Sequence, residues 1–361
     1  MNIVTGDFFA QLIDGMKQQA ALVGDSGVNM KILSANNSET KQAEEILLAA
    51  QDETTVGILT VDGSTDTLCE AINTVFNTTD IAVVSFDFKG DACSEKQVLT
   101  SQMDADMARL VLENAVSMEG QKVNVGYVND VNFAPLRNRD EVWEAYKTAF
   151  NWTQVFYVEN AAGFSTQADL QSAIVDAIEG TQTQNVSFIY APWDYLSVTT
   201  VSAVMETVET IDVFGADINN QDIDVMRNST WRATAGADPM YIGASLTRMV
   251  AKSAAKELKE NELSIPSTLV TQEFLLENNV TNLRYLDDTL PSMALPGFVT
   301  ACWITPIKPP PTEAPNSPNM PAITPPVSTP ATEAPSSGNM ASWLAVPTCF
   351  AFGVLHCVLL G

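Results

Sequence analysis

Short apolar segments alternate with amphipathic segments along residues 8–260 of the chain. Runs of five or six residues rich in Val and Ile predict buried strands, and apolar residues spaced three and four apart predict helices. The predicted strands are residues 29–33, 56–61, 81–86, 123–128, 154–158, 186–190, 211–215 and 232–236. The predicted helices are residues 8–23, 40–51, 64–76, 105–118, 135–149, 166–178, 195–208 and 239–260. This alternation predicts an α/β fold in which helices cover both faces of parallel sheets.

Residues at the helix starts support these boundaries. Ser38 or Asn37 precedes the second helix, Asp104 precedes the fourth, and Pro239 stands in a first turn. These residue types favour helix initiation at those positions. The chain has 361 residues, a length that favours two lobes over one large sheet.

Two of the predicted strands lead directly to an aspartate, Asp87 after residues 81–86 and Asp217 after residues 211–215. In parallel α/β sheets, ligands bind beyond the carboxyl ends of the strands. Two sheets that each present one carboxylate would place a pair of hydrogen-bond acceptors across a cleft. Such a pair suits a small neutral ligand rich in hydroxyl groups.

The chain is strongly acidic, which bears on its partners. Its formal net charge is −26, and the segment after Thr305 contributes −1 through Lys308, Glu313 and Glu333, so the remainder carries −25. A surface of this charge repels phosphate backbones, and nucleic acid is not an expected partner. We interpret the charge as that of a solubilising surface.

Histidine usage excludes several classes of chemistry. The single histidine, His356, lies in the apolar C-terminal segment. Residues 1–305 therefore cannot form a Ser-His-Asp triad, a Cys-His pair or a His-ligated zinc site. We expect neither a cofactor nor a bound metal.

Cysteines and glycosylation motifs indicate a secretory route. Six Asn-X-Ser/Thr sequons occur, at Asn36, Asn77, Asn151, Asn185, Asn228 and Asn279. In the oxidising secretory compartment, Cys69 and Cys93 could form a disulfide, although sequence alone leaves the pairing open. None of the five cysteines belongs to a CxxC motif.

The C-terminal region divides into a stalk and an apolar tail. Residues 306–342 are rich in Pro, Thr and Ser, a composition typical of an extended stalk that cannot bury a core. Small residues, a short polar spacer and an apolar end at residues 343–361 match the signal for a GPI anchor, with Ser336 or Ser337 as the attachment residue. The alternative is one transmembrane helix, but neither Lys nor Arg follows the tail. Either anchor predicts a location on the outer face of the plasma membrane.

The N-terminal segment lacks the marks of a signal peptide, because residues 1–6 contain neither a basic segment nor an apolar run. A helical pattern begins almost at once. We therefore expect that this start site is internal and that upstream sequence, including a first strand, is missing.

Seven segments in chain order together resemble the type 1 periplasmic binding proteins, specifically the sugar-binding group related to ribose-binding proteins and to the ligand domains of lac-repressor-type regulators. The similarity covers roughly residues 2–278. The segments are Gly6-Asp7-Phe8-Phe9 with Gly15-Met16, Gln42-Ala43 with Val56–Leu59, Ile81–Asp87, Asp104-Ala105-Asp106, Arg137–Trp143, Val213–Asp217, and Ala233–Pro239 with Gly243.

This resemblance implies a periplasmic-binding-protein-like domain over residues 1–305, in which two Rossmann-like lobes are joined by a hinge crossed several times. Lobe 1 is expected at about residues 1–103 and 238–272, and lobe 2 at about residues 104–237 and 273–300. The family's first strand would lie before Gly6 and at the centre of the first sheet. A sheet without its central strand would leave two strand edges unpaired.

The resemblance also implies a ligand site between the lobes. Ring faces would come from Phe8, Phe9, Phe164 and Trp193, acceptors from Asp87 and Asp217, and a donor fork from Arg137. The site also includes Phe88, where the family often has a sugar-binding arginine, and Trp193-Asp194, where it often has an asparagine. A family glutamine near the return crossing is replaced by Ala237 or Asp238. Arg139 is expected to be solvated or a structural partner, and Trp143 and Trp152 are expected in the core.

The leading hypothesis is therefore a non-enzymatic surface protein that clamps a small polar ligand, most plausibly sugar-like, by hinge closure. A protein held only in the outer leaflet would need a membrane co-receptor or a transporter. One alternative is a glycosidase that uses Asp87 and Asp217 as its carboxylate pair. Another is an adhesive surface glycoprotein whose cleft is vestigial.

Overall fold

The structure is a computed structural model of the 361-residue chain. It describes residues 7–23, 28–35, 38–61, 66–87, 90–131, 133–160, 164, 166–208 and 210–290, and the backbone of residues 355–360. The chain separates into one compact unit, Met1–Ile307 with Cys349–Gly361, and a second unit, Lys308–Thr348. The second unit, with the predicted stalk and the attachment residues Ser336 and Ser337, lies outside the described residues.

Sheet A forms the first lobe and has six strands in the order β1-β12-β2-β3-β4-β10. The strands β2, β3, β4 and β10 run parallel, whereas β12 is antiparallel to both of its neighbours, β1 and β2. The strands are β1 (Asn29–Ser34), β2 (Thr55–Val61), β3 (Ala82–Phe86), β4 (Val98–Gln102), β10 (Glu262–Ile265) and β12 (Leu355–Leu360).

Sheet B forms the second lobe and has six strands in the order β11-β9-β8-β7-β5-β6. Five of them run parallel, and β11 is antiparallel to β9. The strands are β5 (Asn124–Asn129), β6 (Thr153–Glu159), β7 (Val186–Ala191), β8 (Asp212–Gly215), β9 (Trp231–Gly236) and β11 (Thr268–Thr271). The predicted α/β fold with two lobes and largely parallel sheets is confirmed.

Helices cover both faces of each sheet. They are α1 (Asp7–Ala20), α2 (Glu39–Gln51), α3 (Asp66–Thr78), α4 (Asp104–Glu119), α5 (Ala134–Ala149), α6 (Gln167–Gly180), α7 (Asp194–Glu206), α8 (Asn220–Arg227), α9 (Pro239–Ala254), α10 (Gln272–Glu277) and α11 (Leu283–Thr289). In lobe 1, α1 and α9 pack on one face of sheet A, and α2 and α3 on the other. In lobe 2, α4 and α5 cover the face that buries Trp143 and Trp152, as expected for core residues.

Two glycines let α1 and α9 approach closely. A Cβ atom at Gly15 would lie 1.9 Å from the carbonyl oxygen of Met240, and one at Gly243 would lie 2.0 Å from that of Leu12. Because α1 leads into β1, its first turn lies at the carboxyl edge of sheet A. The glycine contacts thereby hold Phe8 and Phe9 at that edge.

Three boundaries differ from the predictions. Asp104 is the first residue of α4, and Met103 occupies the N-cap that was predicted for Asp104. The last long helix, α9, ends at Ala254 rather than residue 260. The segment Thr268–Thr271 pairs with β9, so the chain returns to lobe 2 at about residue 267 and not at 272. Ser38 and Pro239 occupy their predicted positions, at the N-cap of α2 and in the first turn of α9.

The gap expected at the centre of sheet A is filled by the end of the chain. Strand β12 lies between β1 and β2, with Leu33 opposite His356 and Leu59 opposite Cys357. The position between β1 and β2 is thus occupied by an apolar strand that is antiparallel to both neighbours. Among the described residues, none of the helices is both long and apolar enough to span a bilayer.

Candidate functional site

The two strand-end aspartates share one backbone geometry. Asp87 follows β3 and Asp217 follows β8, with φ angles of 67° and 68°. Each donates its N–H to a carbonyl oxygen of the next strand, Asp87 to Thr100 and Asp217 to Ala235, both at 2.8 Å. Non-glycine residues rarely adopt this left-handed conformation, although aspartate tolerates it better than most. The hydrogen bonds aim both carboxylates beyond the carboxyl edges of their sheets.

Arg139 neutralises Asp217. Its guanidinium donates to the two carboxylate oxygens of Asp217 at 2.8 Å and 3.2 Å, in a bidentate arrangement. Its Nε donates to Asp104 at 3.0 Å, and Nη1 donates to the carbonyl of Pro192 at 2.6 Å. The arginine side chain is only 2% exposed. Asp217 is therefore one member of a buried triad that ties α4, α5 and the end of β8 together.

Gln102 joins the two lobes. As the last residue of β4 in sheet A, it donates its backbone N–H to Asp87 at 3.4 Å. Its side-chain Nε2 donates to Asp217, at the end of sheet B, at 3.3 Å. Its Oε1 is buried and has no hydrogen-bond partner among the described residues. Gln102 thus stands between the two aspartates and keeps one free acceptor.

Carboxylates outnumber cations at the junction between the lobes, where Gln102 contacts both Asp87 and Asp217. Four buried or half-buried acids are linked there through their charges, Asp87, Asp104, Asp194 and Asp217, and Arg139 is the described cation paired with Asp104 and Asp217. Desolvation, with the charges of Asp104 and Asp217, raises the pKa of Asp87 well above its ordinary value. Burial also raises the pKa of Asp104. The junction therefore favours groups that donate hydrogen bonds or carry protons.

Asp194 is the buried first residue of α7 in the second lobe. Its carboxylate accepts from the backbone N–H of Tyr195 at 2.7 Å and from Asn219 Nδ2 at 2.9 Å. Burial, assisted by the charge of Asp217, nevertheless raises the pKa of Asp194 to about 7. Asp194 is thus placed to change its protonation near neutral pH.

Two more polar side chains close to this junction have no hydrogen-bond partner among the described residues. Tyr190 is fully buried at the end of β7, and its phenolic oxygen is unpaired. Burial raises its pKa, and the nearby Arg139 opposes that shift. Asn129, also fully buried, ends β5 on the same face as Tyr127, and neither of its amide atoms has a partner. Since buried polar atoms are normally paired, these groups indicate a polar environment for a ligand or for water.

Aromatic rings stand beside the polar junction. Trp193 contacts Phe133 and Tyr195, with ring centroids 5.7 Å and 5.2 Å apart, and half-buried Phe164 packs on the same side of lobe 2. In lobe 1, Phe8 and Phe9 form an edge-to-face pair at 5.3 Å, and both are half-buried. Each lobe therefore brings apolar ring surface to its carboxyl edge.

The residues predicted for the site are partly brought together. Asp87, Asp194 and Asp217 converge at the junction, whereas Arg137 is exposed on α5 and donates to the carbonyl of Val131 at 3.0 Å. The arginine at Asp217 is Arg139; of the two roles expected for it, structural partner is correct and solvated is wrong. Phe88 lies outside the described residues. Sequence reasoning missed Gln102, Asp104, Asn129 and Tyr190 as members of this site.

A disulfide closes the loop that carries Asp87. Cys69 in α3 is bonded to Cys93, with a sequence separation of 24. The enclosed segment contains the end of α3, the whole of β3 and Asp87 itself. The bond therefore limits how far the connection after β3 can move away from α3.

Comparisons with known proteins agree with this architecture. The family model described as periplasmic binding protein domain matches residues 1–258. A solved 5-methylthioribose transporter solute-binding protein from Thermotoga lettingae, in complex with 5-methylthioribose, is 26% identical, with a TM-score of 0.75 over 84% of this chain and 95% of that chain.

Two more solved structures share the fold at lower identity. A sugar ABC transporter from Yersinia enterocolitica is 22% identical, with a TM-score of 0.70 over 80% of this chain and 87% of that chain. A Caulobacter myo-inositol binding protein bound to myo-inositol is 16% identical, with a TM-score of 0.65 over 76% of this chain and 93% of that chain. The comparison with curated protein sequences finds no match.

Proposed function

Because the chain belongs to the periplasmic binding protein domain family, we propose that it is a solute-binding protein that holds a small, hydroxyl-rich molecule between its two lobes. The ligand class is supported by the molecules bound in similar structures, 5-methylthioribose and myo-inositol. Both expose several hydroxyl groups, which donate hydrogen bonds to carboxylates and amides. Both also have a ring whose C–H surface can pack on aromatic side chains.

The observation that carries this proposal is the unequal pairing of the two strand-end aspartates. Arg139 already binds Asp217, whereas within the described part of the chain the Asp87 carboxylate receives one long hydrogen bond, from the Gln102 backbone. Asp87 and the free Oε1 of Gln102 are adjacent acceptors at the junction between the lobes. Two ligand hydroxyls that each donate to one of these acceptors would supply the missing hydrogen bonds, and an epimer with a misplaced hydroxyl would leave one of them unmade.

The same pairing disfavours a glycosidase. Glycoside hydrolysis needs both carboxyl groups of the pair, one as general acid and the other as nucleophile or base, but the two oxygens of Asp217 are already engaged by Arg139. Binding by lobe closure requires no chemical step. The proposal therefore keeps binding without turnover as the function.

The proposed location is the outer face of the plasma membrane, supported by the apolar tail and the stalk composition of residues 306–361. An anchored clamp would pass its ligand to a transporter or signal through a co-receptor. Anchoring would also withdraw β12 from sheet A, because this strand consists of tail residues. Release of the protein from cells by a GPI-specific phospholipase tests the anchor, and retention after treatment contradicts it.

The ligand proposal is tested by calorimetry and thermal unfolding with 5-methylthioribose, myo-inositol and a panel of monosaccharides as probes. A ligand present at 100 times its dissociation constant stabilises the folded state by about 2.7 kcal/mol. We expect one probe class to bind, and Asp87→Asn to weaken it without loss of folding. A folded protein that none of these probes stabilises would contradict the proposed ligand class, and product formation from a glycoside would favour the enzyme.

A further inference from the structure

The sequon asparagines in the described residues share an exposed position away from the junction between the lobes. Five of the six sequons lie in described residues, and all five asparagines are exposed: Asn77, Asn151, Asn185, Asn228 and Asn279. The sixth, Asn36, lies outside the described residues. Exposure is the first requirement for a side chain that carries a bulky glycan in the folded protein.

Four of these asparagines precede a strand. Asn77 is near the end of α3 and leads to β3, and Asn151 lies between α5 and β6. Asn185 directly precedes β7, and Asn228 is the C-cap of α8 before β9. The starts of parallel strands lie at the amino edge of a sheet. These sequons therefore lie at the amino edges of both sheets.

Asn279 belongs to the same edge through a side-chain contact. Arg227, the last residue of α8, donates to Asn279 Oδ1 at 3.3 Å and to the carbonyl of Val280 at 2.8 Å. Asn228 follows Arg227 directly, so two sequons flank this arginine. Strands of five or six residues span about 17–20 Å, which separates the amino edge from the aspartates at the carboxyl edge.

Three buried asparagines at the carboxyl edge of sheet B form the contrast. Asn129, Asn160 and Asn219 are 0%, 9% and 4% exposed, and none of them is followed by Ser or Thr two residues later. A turn preference alone does not explain the difference. Lys122 and Lys256 hold the same left-handed conformation at helix ends as Asn151, with φ angles of 58°, 59° and 53°.

We infer that the amino edges of the two lobes, which both lie away from the junction, carry N-linked glycans, at Asn77 in lobe 1 and at Asn151, Asn185, Asn228 and Asn279 in lobe 2. Glycans there extend away from the junction and leave lobe closure unobstructed. The glycan on Asn151 also stands at the start of β6, the edge strand of sheet B, and covers an edge that could pair with another chain.

The test is site occupancy in the full chain, directed into the secretory pathway of mammalian cells that also secrete a reporter glycoprotein. Peptide N-glycosidase in heavy-oxygen water marks each glycosylated asparagine, and peptide mass spectrometry reads the label. We expect label at Asn77 and at three or more of the four lobe 2 sites. Fewer labelled sites, with the reporter modified normally, overturn the inference.

Two variants at Thr153 distinguish the loss of a glycan at Asn151 from the effect of changing the Thr153 side chain. Thr153 is exposed, so Thr153→Ala is expected to remove one glycan from Asn151, and Thr153→Ser is expected to keep it. Equal mobility of these two variants on a gel would exclude a glycan at Asn151.

The placement of the glycans away from the carboxyl edge of lobe 2 has its own test. Gln221→Thr creates a sequon at Asn219, whose side chain caps α8 and binds Asp194. We expect poor secretion of this variant and normal secretion of Gln221→Ala. Normal secretion of Gln221→Thr with a glycan at Asn219 and an unchanged unfolding temperature would overturn the claim that the carboxyl edge of lobe 2 excludes glycans.

Discussion

The ends of β3 and β8 repeat one backbone arrangement in two different charge environments. Both aspartates have left-handed φ angles and donate to the neighbouring strand at 2.8 Å. In lobe 2, a buried arginine and an amide bind Asp217. In lobe 1, the described residues within ion-pair distance of Asp87 include no lysine or arginine, and the next position is Phe88.

This difference separates two roles that the sequence assigns equally to both aspartates. Sheet hydrogen bonds fix where a strand-end carboxylate points, but the helices beside the strand decide whether it is already paired. Asp217 contributes mainly to the architecture of lobe 2, and Asp87 remains available to a ligand. The predictions below test this division, beginning with the variant that removes the pairing in lobe 2.

Arg139→Met removes the cation of the buried triad and leaves Asp104 and Asp217 without their partner. Removal of one member of a buried ion pair typically costs about 3–5 kcal/mol, so we expect a loss of that size in the free energy of unfolding measured with urea. Arg137→Met is the matched control on the same helix, since Arg137 is exposed, and should change stability by less than about 0.5 kcal/mol. Comparable losses from both variants would refute the assignment of Arg139.

Paired isosteric substitutions at the two aspartates test the comparison directly. Asp217→Asn weakens the bidentate pair with Arg139, and we expect it to cost about 1.5–3 kcal/mol of folding stability, the range for hydrogen bonds to charged groups. Asp87→Asn should leave stability equal or higher, because it removes a carboxylate that is costly to ionise at this site. Chemical denaturation of both variants side by side measures the difference, and a larger loss from Asp87→Asn would reverse the roles.

Asp194→Asn tests the excess of negative charge around the junction through its pH dependence. The pKa of Asp194 is raised to about 7 in the folded protein, so the folded state retains a proton that the unfolded state has already released above about pH 4. This group therefore destabilises the wild type progressively as pH rises from about 4 to 7, by at most about 1.4 kcal/mol per pH unit. Thermal unfolding over that range should show a shallower decline for the variant, and parallel curves would contradict the raised pKa.

Gln102→Leu removes the side-chain bond between the lobes and retains the backbone bond to Asp87. A single hydrogen bond of this kind contributes about 0.5–1.5 kcal/mol, so we expect the smallest stability change of this series. Ligand affinity should fall further, because the free Oε1 is also lost. If calorimetry shows unchanged affinity for a probe that Asp87→Asn weakens, Gln102 is excluded as a ligand contact.

Much of the fold follows from local pattern, because the eight predicted strands and eight long helices all occur. Three of the missed strands, β4, β10 and β11, are short and mix polar with apolar residues. Gln102 was missed for the same reason, because it ends a strand that was not predicted. Its burial depends on packing against the other lobe, which no local pattern records.

The choice between the two arginines could have been made from helix periodicity. Leu136, Arg139 and Trp143 are spaced by three and four residues and lie on one buried face of α5, whereas Arg137 falls outside that stripe. The resemblance favoured Arg137, and its predicted ligand contact stays a prediction. The placement of β12 could not be foreseen, because an apolar segment predicts burial but not its partner.

The disulfide between Cys69 and Cys93 links ligand recognition to the place where the chain is made. It encloses the strand that presents Asp87, so a chain folded in a reducing cytosol would lack the covalent link that holds the connection after β3 close to α3. In the chain-entropy view, a closure of this length contributes about 3 kcal/mol. Protein for ligand screening should therefore come from an oxidising compartment. A preparation from a reducing compartment could fail to bind because the disulfide is absent, and that failure would say nothing about the specificity of the site.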